Sequence, residues 1–170
     1  LIGSAYFASN YDPHIWFDLG YWNDITVYVT KRLSELDPEN TKAFKANRDA
    51  YLKKLKQLQT DLDKKVEELP KEKRILVTAH DAFNYYGRTF DFEVVGLQGI
   101  STATEAGVKD VQRITQFIID NNIKAVFIES SVPRRTVEAL QAAVNAQDHD
   151  VKIGGELFSD ALGSAGTEEG

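Results

Sequence analysis

The chain contains no cysteine and no methionine. Without cysteine there can be no disulfide, no thiolate nucleophile and no soft sulfur site for a metal. The absence suits an exported protein that resists oxidation and suits many cytosolic ones equally, so it fixes no compartment. No stretch approaches the roughly 18 consecutive apolar residues of a membrane span. Basic runs are missing as well. A formal net charge of −6 without clustered lysine or arginine leaves no electrostatic footprint for nucleic acid. No signal-peptide pattern is read in the sequence as it stands, and the opening "LIGSAYFASNYDPH" lacks a start methionine and runs straight into a motif, which reads as a cut end. What is present is ordinary: 42% hydrophobic and 27% charged residues in 170, enough chain for one good core.

Residues 18 to 35 carry Trp22, Ile25, Val29 and Leu33 at helical spacing, which predicts a first amphipathic helix. Asp37-Pro38-Glu39 supplies a capping residue, a proline at the first helical position and an acidic first turn. From there Tyr51, Leu55, Leu58, Leu62, Val66 and Leu69 form one stripe until Pro70 closes it. About 32 residues of helix would reach about 48 Å, more than a domain of this size needs to span itself. After Pro70 the rhythm changes. Strands are predicted at 74–79, 92–97, 123–129 and 151–153. They alternate with helices bearing Phe83, Tyr86 and Phe90, then Val111, Ile114, Phe117 and Ile118, then Val137, Leu140 and Val144. Alternation of this kind implies right-handed crossovers and a parallel sheet. The fold class is α/β: a four-stranded parallel sheet flanked by helices and preceded by one long helix. No internal repeat or low-complexity segment interrupts it, and the ending "SAGTEEG" leaves the last strand without a covering helix.

In such sheets ligands gather beyond the carboxyl ends of the strands. His80 sits there after the first strand and Asp160 beyond the last, while His14 in "YDPHIWFD" occupies an extended turn, because Asp12 precedes a proline. Two histidines and an aspartate suit a borderline divalent cation, zinc above all, with manganese or iron as alternatives. Spacing alone leaves the other reading open, in which His80 caps the next helix and His14 serves its own turn. No HExxH or CxxC motif decides between them. Glu129, closing "AVFIE", reads either as a catalytic carboxylate or as an acceptor for a backbone amide or helix end. The serines of "ESSVP" lack a nucleophile elbow, "GLQGIST" lacks the dinucleotide fingerprint, and His149 in "NAQDHD" reads as a loop residue without a role.

Taken together, "DPHIWFD", "LVTAHDAFNYYGR", "GLQGIST", "FIESSVP" and "GGELFSDALG" closely resemble, in this order and spacing, the TroA-like zinc/manganese solute-binding proteins of bacterial ABC importers. The resemblance covers essentially the whole chain. It implies two α/β lobes joined by one long helix, with metal held in the cleft. It also implies that His14, His80 and Asp160 are ligands, by their match to the DPH, TAHDAF-type and SDALG-type motifs. The family's remaining ligand, a histidine of the N-terminal lobe, has no equivalent here, nor has its last helix. On this reading residues 1–37 are an edge of the N-terminal lobe with its first helix, 38–70 the connecting helix and 71–170 the C-terminal α/β lobe.

The implied task is capture and delivery rather than chemistry. The protein would be extracytoplasmic, periplasmic or lipid-anchored, its partners the metal ion and an ABC permease, with release requiring a small shift of the lobes. An incomplete site should bind more weakly, and the face left by the absent lobe invites dimerisation or swapping. Histidine at position 80, where some relatives that resemble manganese binders have glutamate, favours zinc or mixed specificity. Binding should weaken below about pH 6, since both imidazoles must be neutral to ligate. Two rivals stand beside this reading: a metal-dependent hydrolase using the same three residues with Glu129 or Glu156 as base, and a metal-free adhesive or scaffold module.

Overall fold

The computed structural model describes residues 1–3, 11–103 and 106–167. Residues 4–10, 104–105 and 168–170 lie outside the described residues, and with them parts of the opening stretch, of "STATEAG" and of the "GTEEG" ending. The chain divides into two compact units, Leu1–His14 with Glu72–Gly170, and Ile15–Lys71.

The Ile15–Lys71 unit is helical. Helix α1 (Leu19–Leu36) starts where the Asp18 side chain accepts the Gly20 and Tyr21 amides, a cap that satisfies two otherwise orphaned donors. Asp37 repeats the device, accepting the Asn40 amide over a single 3₁₀ turn at Pro38–Asn40. Helix α2 (Thr41–Glu67) comes next with 27 residues, about 40 Å at 1.5 Å per residue. It is shorter than the helix predicted over 38–69, for a local reason at each end. Proline starts the tighter turn. Before Pro70 the helical region is disfavoured, and the Leu69 amide already reaches only three residues back, to Val66 O. α1 and α2 pack on each other. Leu55 and Val66 are buried from the predicted stripe, whereas Tyr51 and Leu58 stay 43% and 45% exposed.

The other unit carries the sheet elements: β1 (Ile75–His80), α3 (Asn84–Phe90), β2 (Glu93–Gln98), α4 (Val108–Asp120), β3 (Ala125–Glu129), α5 (Arg134–Asn145) and β4 (Lys152–Leu157). The strands pair in parallel, as the alternation with helices requires, and among the described residues they form two hydrogen-bonded pairs, β1 with β2 and β3 with β4. Between the pairs the His80 amide is taken by the Glu129 side chain, not by a neighbouring strand's carbonyl. The core is continuous across both pairs: Val77 and Leu97, Val126 and Val151, with Ile114 and Ile118 from α4 and Leu140 and Val144 from α5. Each such side chain contributes about 1.5–3 kcal/mol by leaving water. His149, expected to be idle, approaches the Ile123 carbonyl at 2.7 Å through Nε2 and so ties the loop before β3 to the loop before β4.

Two strand boundaries bear on the placement of the candidate ligands. His80 is the last residue of β1 rather than the first beyond it. β4 continues through Gly154 and Gly155 to Leu157, where the sequence pattern ends the strand at 153.

Candidate metal site

His14, His80 and Asp160 meet, one ligand atom from each lying within 4.8 Å of the others. His14 and His80 are buried, 2% and 0% exposed, and the Asp160 side chain is 30% exposed. Asp160 faces both rings at once: Oδ1 stands 3.2 Å from His14 Nε2 and Oδ2 stands 3.2 Å from His80 Nε2. The rings meet edge to face, 5.4 Å between centroids. Ligand atoms on a tetrahedral zinc ion with bonds near 2.1 Å are about 3.4 Å apart; each carboxylate–imidazole spacing is close to that, the two running through different oxygens of Asp160.

The other nitrogen of each ring faces a buried carboxylate. Asp12, in the extended turn before Pro13, accepts the His14 backbone amide at 2.9 Å and lies 2.7 Å from His14 Nδ1, both through Oδ1. Glu129, at the end of β3, accepts the His80 amide at 2.8 Å through Oε1. Its Oε2 lies 2.6 Å from His80 Nδ1, close but not aligned as a hydrogen bond. So each histidine is held by backbone and ring to a single carboxylate. With Nδ1 taken, Nε2 is the nitrogen left to bind an ion, and the carboxylate makes it a better donor. His80 Nε2 is buried and makes no hydrogen bond, a costly state for a ring nitrogen unless something else occupies it.

The Asp12 turn is itself anchored. Tyr85 OH donates to the Asp12 carbonyl at 3.0 Å and accepts the Ile2 amide at 3.1 Å, while Asn84 Nδ2 donates to Asp12 Oδ2 at 3.1 Å. Both residues begin α3, four and five positions after His80. The sequence "HDAFNYYG" thus places one candidate ligand and builds the clamp for the other. At the remaining corner, Ser131 Oγ and Ser159 Oγ lie 3.0 Å apart and the Ser130 amide donates to Leu157 O, so "ESSVP" holds the loop that carries Asp160.

Charge has the same plan. Burial alone depresses the His80 pKa, but Glu129, with smaller help from Asp160 and Asp81, overrides it and raises the value above the ordinary 6.5. Burial likewise works to raise the Asp12 pKa, and the His14 and Asn84 hydrogen bonds win, holding it below 3.8. Asp81 is raised by burial, with Asp12 adding to the effect and Asn84 opposing it. Without an ion the pocket favours a proton on His80; a divalent cation is what this concentration of carboxylates would exchange that proton for.

All three residues singled out from sequence stand together, and the structure adds four more: Asp12, Asn84, Tyr85 and Ser159. An acid two places before a histidine, or closing the neighbouring strand, is the signal that finds the gripping carboxylates. Glu129 proves to be a backbone-amide acceptor, as one of its two readings held, and also faces the imidazole. It is buried with both oxygens turned to His80, and Glu156 is exposed on β4. Neither acid named for hydrolysis is placed as a base beside the three residues.

The zinc-binding protein TroA of Treponema pallidum is 49% identical over 162 residues, covering 95% of this chain and 53% of that protein. The manganese-binding lipoprotein MntA of Bacillus subtilis is 39% identical over 163 residues, 96% of this chain and 53% of that one. The chain therefore spans about half the length of the curated relatives it matches. A solved structure of periplasmic zinc-binding TroA from Treponema pallidum superposes with a TM-score of 0.91 at 48% identity, over 95% of this chain and 58% of its own. The model of the zinc-uptake complex component A periplasmic family (ZnuA) matches residues 3–170, and the chain belongs to that family.

Proposed function

We propose that this chain serves extracytoplasmic capture of a divalent transition metal for an ABC importer, as a solute-binding component and not an enzyme, with His14, His80 and Asp160 as ligands. The observation that carries it is the paired grip: two histidines with Nδ1 turned to buried carboxylates and Nε2 turned to one aspartate. The names of the relatives, zinc-binding for TroA and manganese-binding for MntA, support a metal as cargo. So does their description as periplasmic or lipoproteins for the location. No helix among the described residues is long and apolar enough to cross a membrane.

Zinc is the preferred ion on this reading. Two imidazole nitrogens and one carboxylate are borderline donors, and zinc outranks manganese at nitrogen-rich sites. Three protein ligands leave a tetrahedral position for a fourth donor, so the affinity of this chain alone should fall below that of a four-ligand site. The same reading carries an expectation of self-association through exposed apolar residues of α1, Tyr28 at 63% and Leu36 at 77% among them. A single monomeric species in light scattering would count against that part.

The test is zinc and manganese titration calorimetry on chelator-stripped protein, with His80→Ala in parallel. One ion per chain, zinc tighter than manganese and both weakened by the substitution, is the expected result. Binding indifferent to His80, or none at all, would overturn the ligand assignment.

A further inference from the structure

The glycine pair in "GGELFSDALG" takes no part in gripping the two histidines, yet it sits at the one irregularity of the β3–β4 ladder. Val126 pairs with Ile153 and Ile128 with Glu156. Two steps on β3 therefore answer three on β4, leaving Gly154 and Gly155 opposite Phe127. This is a β-bulge, one extra residue that bends a strand and re-aims the side chains beyond it.

β4 is fixed on both sides of the bulge. Before it, Val151 is fully buried, donates its amide to Asn145 Oδ1 at 3.1 Å and accepts Gln141 Nε2 at 2.9 Å. After it, Leu157 O accepts the Ser130 amide, and Ser159 is buried beside Ser131. In an unbulged ladder these anchorages would be one residue out of step. A one-residue slip turns every later side chain to the other face, and would bring Ser159 to the place of Asp160. Glycine suits the position because the chain passes under an aromatic ring: a Cβ on Gly154 would stand 2.7 Å from Phe127 Cε1 and 3.0 Å from Cζ.

We propose that the Gly154–Gly155 bulge is the positioning device that brings the Asp160 carboxylate against Nε2 of both His14 and His80. The consequence for metal capture rests on the proposed function; the placement of Asp160 does not.

The experiment compares wild type, Asp160→Ala, deletion of Gly155, and the two changes combined, with two readouts. In metal-free protein, ring nitrogen shifts of His14 and His80 report the Asp160 contact by NMR. In zinc titrations, affinity reports its use. Deletion of Gly155 takes out the extra residue, so Ile128 stays opposite Glu156 while the bend is lost; it is expected to move the same two rings as Asp160→Ala does, by less, to weaken zinc, and to add nothing in the combined variant. Should the deletion abolish folding, Gly154→Ala, which need only push aside the Phe127 ring edge, is expected to move the same two rings by less. Rings that stay at their wild-type positions in the glycine variants, or that ignore Asp160→Ala, would overturn the proposal. Additive losses of zinc affinity would overturn it too. If wild type takes up no zinc, the metal reading fails, while the ring comparison still decides the bulge.

Discussion

Glu129 holds His80 at two points, accepting its backbone amide at 2.8 Å through one oxygen and standing 2.6 Å from Nδ1 with the other. Both residues are almost wholly buried. The histidine is therefore oriented from the strand beside it, and the carboxylate has no solvent to compensate it.

Two substitutions separate orientation from charge. Glu129→Gln keeps an oxygen for the His80 amide but removes the charge beside the ring, and zinc affinity should fall about 10- to 100-fold with little change in folding. Glu129→Ala also leaves a buried amide without an acceptor, which should cost about 1–3 kcal/mol of stability. Competitive zinc titration and urea unfolding distinguish the two. Equal zinc affinity in wild type and Glu129→Gln would remove Glu129 from the site.

On the other histidine the clamp is a chain of contacts: Tyr85 to the Asp12 carbonyl, Asn84 to the Asp12 carboxylate, and Asp12 to His14. Tyr85→Phe should cost about 0.5–1.5 kcal/mol, the net worth of a typical hydrogen bond. Combined with Asp12→Asn it should cost less than the sum, because the two changes loosen one turn. Urea unfolding of the two single variants and the double one checks this; strict additivity would mean the contacts act independently.

How much of this was legible in the sequence depended on whether a residue's role was local. His14, His80 and Asp160 stand at chain positions where strands or turns deliver side chains to one edge, which makes them candidates; it is the resemblance of the motifs around them, not spacing, that joins them into one ligand set. The grip on them is made across the fold. Asp12 reads locally as the residue before a proline, and Tyr85 lies in an aromatic-rich stretch that promises no more than packing, at 0% exposure; only the contact with a residue 73 positions away shows its second role. The glycines of "GGELF" read as the end of a short strand because glycine is poor in strands. Pairing with β3 carries the strand through them, and no local pattern contains that information. That the described strands form two hydrogen-bonded pairs and not one four-strand ladder is likewise absent from any local pattern.

Acidity gives a prediction with two opposite slopes. The folded state raises the pKa of His80 above 6.5 and of Asp81 above 3.8. Each therefore stabilises metal-free protein most at low pH, and its contribution is lost as pH rises through the folded value. Asp12, held below 3.8, has the reverse sign and loses its contribution only in stronger acid. From pH 6 to 8 metal-free protein should become less stable, through His80. Zinc must displace that proton, so its stabilisation should grow over the same range, and binding should already weaken above the ordinary histidine value. Thermal unfolding with and without zinc at pH 5, 6.5 and 8 tests both slopes. Calorimetry in buffers of different ionisation enthalpy should show proton release near neutral pH. A zinc-induced shift equal at pH 5 and 8 would contradict the proton–metal exchange.

Two glycines of one segment should behave differently. Gly96 lies on β2 where the chain turns out of β1, and a Cβ there would stand 2.6 Å from the Asp81 nitrogen and 2.8 Å from its Cα. Those are backbone atoms directly after His80, and they cannot move aside as a flexible side chain can. Around Gly99 a Cβ meets nothing within 4 Å. Gly96→Ala should therefore destabilise by about 1–3 kcal/mol, as overpacking does, and weaken zinc binding by displacing the end of β1. Gly99→Ala should lie within about 1 kcal/mol of wild type, with any gain coming from the restricted unfolded chain. Unfolding and zinc titration of the pair provide their own control. A Gly96→Ala protein that is destabilised yet binds zinc unchanged would show that His80 is held by Glu129 alone, and that the packing of β2 beneath it serves stability only.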